Sequence, residues 1–203
     1  GDVLDQTGAV TFDTPESRAG LQQMAELITS GASPSDVAAY DSLSALNAFR
    51  NGDAVFLRDW YLAWEYVAGA DSPVAGRVGI APLPESCLGG QSFGLSSHSH
   101  HQEQALRFLA FLVSHDQQVA MALSANQPPV LAAAYHDPDL LADSSTWTVL
   151  GTIWPKARPR PSTIKYPQFS EAIYTEVNRL LAGTQDVTTT ANNVQRRLEA
   201  IPR

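Results

Sequence analysis

Apolar residues recur every three or four positions over most of this chain, a spacing that gathers them on one face of an α-helix. Thr14-Pro15-Glu16 reads as N-cap, first-turn proline and acidic first turn; Leu21, Met24, Leu27 and Ile28 then form one stripe, and Gly31 stops the helix. Asp41 caps a second expected helix that carries Leu43, Leu46 and Phe49 and ends at Asn51-Gly52. Further helices are expected over 60–68, over 101–113 with Ala105, Phe108, Leu109 and Leu112 in phase, from Asp116 onward, over 145–153, over 169–182 and over 188–200. Asp137-Pro138 caps a short turn, and Gly183 suits the left-handed residue that ends the helix carrying Ile173, Val177, Leu180 and Leu181. Three short runs, 54–57, 78–81 and 92–95, read as strands, the first buried, the second closed by Pro82 and Pro84, and the third beyond the Gly89-Gly90 turn. Pro128-Pro129 breaks the pattern, and 155–167 is expected as an irregular proline-rich loop.

Composition narrows the function classes. With 203 residues of which 44% are hydrophobic, the chain can bury a substantial core as one domain or two. A net charge of -8 opposes a phosphate backbone, and the basic residues are scattered apart from Arg158/Arg160 and Arg196/Arg197, so nucleic acid is not an expected partner. No apolar run approaches the ~18 residues needed to span a bilayer, and no charged-then-apolar leader precedes Gly1. Cys87 stands alone, which rules out an internal disulfide and a cysteine zinc cluster.

The stretch 51–66, NGDAVFLRDWYLAWEY, places two tryptophans and two tyrosines around an expected helix start. Such aromatics suit a polyhydroxylated ligand, because a sugar ring lays its C–H face on an indole while its hydroxyls take polar partners from the rim. The alternative is that Trp64 and Tyr66 are core residues.

Three stretches resemble family 1 extracellular solute-binding proteins, the sugar receptors of bacterial ABC importers. The stretch 51–66 is similar to that family's G-x-A-x-M-x-x-x-W-x-Y-x-W region. Gly89-Gly90-Gln91-Ser92-Phe93-Gly94-Leu95, followed by QALRFLAFLVSHDQQ, resembles its GGW strand and A-x-x-F-x-x-F-L-x-S helix. ARPRPSTIKYPQFSEAIYTEVNRLLAG, 157–183, resembles its RP-x-x-x-x-Y-x-x-x-S helix start and L-x-G helix end. Order and spacing, rather than any one motif, give the match its specificity.

The resemblance implies an α/β, helix-rich chain forming the C-terminal portion of a two-lobed periplasmic-binding-protein-like type II fold. It implies that 1–77 begin the C-terminal lobe, that 78–127 cross to the opposite lobe, and that 128–203 return with the closing helices. Such receptors run to about twice this length, so a missing N-terminal lobe is expected to complete the pocket. Further implied partners are a sugar or oligosaccharide ligand and the transmembrane permease subunits of an ABC importer. The implied location is extracytoplasmic, with a lipid anchor on the full-length parent.

Carried over position by position, Trp60 matches the tryptophan that stacks on a sugar ring. The tyrosine two places on is Leu62 here, and neighbouring Tyr61 is the ligand-binding candidate to replace it. Gly89 and Gly90 match the paired glycines that let backbone amides approach a ligand. Gln91 stands where a tryptophan usually follows, exchanging a stacking surface for an amide that both donates and accepts. Arg160 matches the arginine six residues before the helix-start tyrosine, here Tyr166, and its fork can hold vicinal hydroxyls or an acidic group. The expected ligand is smaller or more polar than a typical disaccharide, captured without covalent chemistry and without a cofactor.

Two other readings compete. A carbohydrate-active hydrolase would need two carboxylates across a pocket; Asp59, Glu65 and Glu85 lie near the aromatic stretch, but no GxSxG, HExxH, Walker or dinucleotide motif occurs. A metal-binding module would use His98, His100 and His101 with nearby His115, a set that the resemblance puts in a solvent-exposed turn.

Overall fold

The computed structural model describes residues 3–202. Nine α-helices of at least one turn and a half are present among them: α1 Pro15–Thr29, α2 Ser42–Asn51, α3 Ala63–Ala68, α4 Gln102–Leu112, α5 His115–Ala125, α6 Pro138–Asp143, α7 Ser145–Ile153, α8 Tyr166–Leu181 and α9 Val187–Glu199. Short 3-10 turns lie at Val37–Ala39, Ala132–His136 and Trp154–Lys156. The end signals at Thr14 and Asp41 act as expected, and Asp186 is a further cap that the sequence reading did not single out. Thr14 accepts the amide of Ser17, Asp41 that of Ser44 and Asp186 that of Thr189, each supplying a partner to an otherwise orphaned first-turn donor.

Two expectations are corrected. The runs 54–57, 78–81 and 92–95 join no ladder; pairing among the described residues is confined to the isolated bridges Leu4↔Val10, antiparallel, and Cys87↔Arg158, parallel. Val55 and Phe56 are 84% and 91% exposed, and Phe93 74%. An apolar run becomes a strand only when a neighbour takes up its N–H and C=O groups, and these runs have no ladder partner among the described residues. The third helix begins at Ala63 rather than at residue 60, because Asp59 accepts the amide of Trp60 and the chain turns, with the carbonyls of Trp60 and Tyr61 receiving the amides of Ala63 and Trp64.

The chain folds as two compact units. One comprises the described residues up to Ala45 and from Pro161 onward. In it α8 packs along α9, with α1 against both, around Leu21, Phe169, Ala172, Leu180, Ala191, Val194 and Leu198. A buried polar knot joins the same helices. Glu176 on α8, 2% exposed, receives Arg197 and Asn193 from α9 at 2.9 and 3.1 Å and Arg179 from its own helix at 3.0 Å. Gln195 ties the N-terminal segment to α9, accepting the amides of Phe12 and Asp13 and donating to the carbonyl of Val10.

The other unit, Leu46–Arg160, is built on Trp147 of α7, which is almost fully buried among Val119, Ala122, Ala134, Tyr135, Leu140 and Leu150. The indole N–H of Trp147 donates to Asp143, and the Tyr135 hydroxyl to the carbonyl of Pro129, so the two large buried aromatics keep their polar tips satisfied. Asn126, at φ 49°, takes the left-handed turn that ends α5. Gln118 then spans the Pro128-Pro129 break, donating to the carbonyl of Leu112 and accepting the amide of Val130. In contrast, α4 buries none of its residues, and Leu106, Phe108 and Phe111 face solvent.

Candidate functional site

The aromatic and diglycine stretches come together within the Leu46–Arg160 unit. Trp60 is 53% exposed, with the edge of its six-membered ring lying directly on Gly89. A Cβ at position 89 would overlap Cη2 and Cζ3 of the indole, so only glycine leaves the ring where it lies. One side of the ring is thus braced by backbone while much of its surface stays open.

The proline-rich loop is fastened to the same stretch. Leu88 donates its amide to the carbonyl of Arg158 at 2.7 Å, and Arg158 donates its own to the carbonyl of Ser86 at 2.8 Å, the two bonds of the parallel bridge. Because the bridged segments run the same way, Gly89, Gly90 and Gln91 leave it in the direction in which Arg160 follows Arg158. Gly90, Gln91 and Arg160 are exposed. Arg158 also pairs with Glu85, N to O 3.3 Å, both side chains well solvated, so this ion pair adds little stability.

Tyr61 points elsewhere. Its ring stacks obliquely on Trp147, centroids 5.5 Å apart, and it joins the edge of that core. Burial, with the Asp143 carboxylate adding to it, pushes its phenol up to about 12. The structure thus separates Trp60 from its neighbour, one facing solvent and one facing inward. Trp64 is half-buried and Tyr66 is 56% exposed, so the core role considered for this pair does not hold for Tyr66.

Beside the bridge lies a groove of about 190 Å³ that sequence reasoning did not identify, lined by Pro82, Leu83, Pro84 and Ser86 on one wall and Thr152, Ile153 and Lys156 on the other. The prolines were legible as the end of an apolar run, and Lys156 as part of a loop. Their meeting depends on a pairing between residues some seventy positions apart, which no local signal announces.

The remaining candidates do not assemble. Asp59 is engaged by the amide of Trp60 and Glu85 by Arg158, while Glu65 lies exposed on α3. His98, His100 and His101 are exposed, and no three His, Cys, Asp or Glu side chains among the described residues are gathered as metal ligands. His115 sits 3.7 Å from Asp137 and from Asp116 at the start of α5.

The helix-rich fold matches that of solute-binding proteins. Residues 2–146 match the family described as bacterial extracellular solute-binding protein, and the chain belongs to that family. A probable ABC transporter-binding protein from Deinococcus radiodurans is 29% identical over 191 residues, covering 89% of this chain and 45% of its own length. Among solved structures, maltose-bound MalE3 of T. maritima is 35% identical with a TM-score of 0.89, covering 98% of this chain and 54% of that one. The tagatose-bound solute-binding protein of Thermotoga lettingae is 25% identical, TM-score 0.81, with 98% and 53% covered. This chain therefore spans about half the length of these relatives, as expected for the C-terminal portion of their fold. The family and its structural neighbours are transport proteins rather than enzymes.

Proposed function

We propose that this chain forms part of an extracytoplasmic receptor that captures a sugar or oligosaccharide and delivers it to the permease of an ABC importer. The observation that carries this reading is the half-exposed indole of Trp60 braced on Gly89, beside a loop tied to the same stretch at Arg158. A flat apolar face next to backbone amides, the Gln91 amide and the Arg160 guanidinium supplies both halves of what a sugar ring requires: contact for its C–H face and partners for its hydroxyls. The ligands named for similar structures, maltose at 35% identity and tagatose at 25%, support the same ligand class.

In this reading 1–77 and 128–203 belong to the C-terminal lobe, and 78–127 cross to an opposite lobe whose earlier part lies in the full-length protein. The exposed apolar face of α4 and the unpaired run containing Phe93 support that assignment, since both are built to be covered. Closure of two lobes around the ligand then distinguishes loaded from empty receptor by differential affinity for the two forms. The full-length parent stands outside the cytoplasmic membrane on a lipid anchor, while no helix among the described residues is itself long and apolar enough to cross a bilayer.

The test is calorimetric titration of the full-length protein with mono- and disaccharides, before and after Trp60→Ala. Losing a stacked aromatic is expected to weaken the best ligand by about tenfold or more. Undiminished affinity in the variant, or no sugar response from the parent, would overturn the assignment.

A further inference from the structure

Trp60 and Tyr61 are consecutive, their Cα atoms about 3.8 Å apart, yet one ring faces solvent and the other packs on the core. Over 58–62, Tyr61 is the one residue that is not exposed. The side-chain tie within this turn, from the Trp60 amide to the Asp59 carboxylate at 2.7 Å, lies at the surface, where water competes for both groups. Gly89 braces an edge of the indole but has no side chain with which to hold it. The Tyr61 ring is therefore the attachment of the turn to the protein interior.

What that ring rests on is fixed. Trp147 is 1% exposed, and its indole N–H donates to Asp143 at 2.9 Å, so packing and a hydrogen bond together set its plane. Tyr61 meets it at a centroid distance of 5.5 Å and an interplanar angle of 49°, inside the range of about 4.5–7 Å over which aromatic pairs attract. The Tyr61 hydroxyl donates to none of the described residues, so the ring and not the hydroxyl carries the attachment.

We infer that Tyr61 is a positioning residue for the sugar-binding surface: its ring, seated on Trp147, fixes the 59–62 turn and so the plane that the Trp60 indole offers to a ligand, without touching the ligand itself. This deepens the sugar-receptor reading and rests on it. The physical advantage is preorganisation. An indole already held in place loses less freedom when a sugar ring settles on it, and the difference appears as affinity.

Full-length protein is titrated with maltose and with tagatose, the sugars bound in two of the similar structures, as parent, Tyr61→Phe, Tyr61→Ala, Trp60→Ala and the Tyr61→Ala/Trp60→Ala double variant, each at a temperature well below its own melt. Tyr61→Phe keeps the ring and is expected to hold affinity within about twofold, whereas Tyr61→Ala is expected to weaken it about tenfold. In the Trp60→Ala background the same Tyr61→Ala change is expected to cost less than about twofold, because a residue that acts through the indole has nothing left to position. Tyr61→Leu, which fills the space without an aromatic face, takes the place of Tyr61→Ala if that variant does not fold. Acrylamide quenching without sugar, with the Trp60 signal isolated as the difference from a Trp60→Phe counterpart, is expected to rise in Tyr61→Ala and to stay unchanged in Tyr61→Phe. A tenfold loss in Tyr61→Phe would make the phenol a ligand contact and overturn the inference. So would an equal cost of Tyr61→Ala with and without Trp60, or quenching that ignores Tyr61→Ala. If the parent binds no sugar, the receptor reading falls, and quenching alone then decides whether Tyr61 holds the indole.

Discussion

Gly89 and Trp60 illustrate how much one missing methyl carbon decides. The indole lies where a side chain at 89 would be, so Gly89→Ala must displace the ring rather than merely crowd it. Trp60 is exposed enough to move without unfolding the core, which is centred on Trp147. The variant is therefore expected to keep its melting temperature within about 2 °C while shifting the tryptophan emission and weakening sugar binding about tenfold. An unchanged emission spectrum would show that the contact has no hold on the indole. Tyr61 teaches the complementary lesson. In sequence it is as eligible for a ligand as Trp60, and only the turn at residues 60–62 sends it onto Trp147.

The pairing of α8 with α9 rests on an ordinary apolar stripe and on one buried carboxylate. Burial pushes Glu176 up, but hydrogen bonds from Arg197, Asn193 and Gln185, with the charge of Arg179, outweigh it and hold its pKa below the usual glutamate value of 4.5. A folded pKa below the unfolded one means stability that is present above about pH 4.5 and is lost as pH falls through the folded value. Glu176→Gln is expected to cost about 2 kcal/mol at neutral pH, since two arginines lose the negative charge on their shared acceptor, and to flatten the acid limb of the stability curve. Urea unfolding at pH 7 and at several values below pH 4.5 measures both effects; an unaltered acid slope would remove Glu176 from the account. The amphipathic stripes of α8 and α9 were plain in sequence. The knot was not, because Glu176 reads there as one more solvated acid until α9 is laid beside it.

Val55, Phe56, Phe93, Leu106, Phe108 and Phe111 are all exposed in one unit, far more large apolar surface than scattered single residues would give. In the proposed receptor the remainder of the full-length protein covers α4 and the unpaired run at 92–95. The 203-residue chain by itself is accordingly expected to bind a hydrophobic dye strongly and to self-associate above micromolar concentration, while the full-length protein does neither. Sedimentation and dye fluorescence on both proteins check this. A monomeric, dye-silent short chain would mean that these segments satisfy one another without a covering lobe.

Periodicity and end signals in the sequence determined where the helices lie, because 3.6-residue spacing, Thr14, Asp41 and Gly183 act within a turn or two of themselves. They determined the aromatic, diglycine and arginine stretches as well, by residue type and order. Tertiary structure alone decided that apolar runs would remain unpaired, that Trp60 would face outward and Tyr61 inward, and that Lys156 would share a groove with Pro82 and Ser86. Each of those outcomes depends on a partner distant along the chain, and hydrogen-bond pairing and burial are properties of two segments rather than of one.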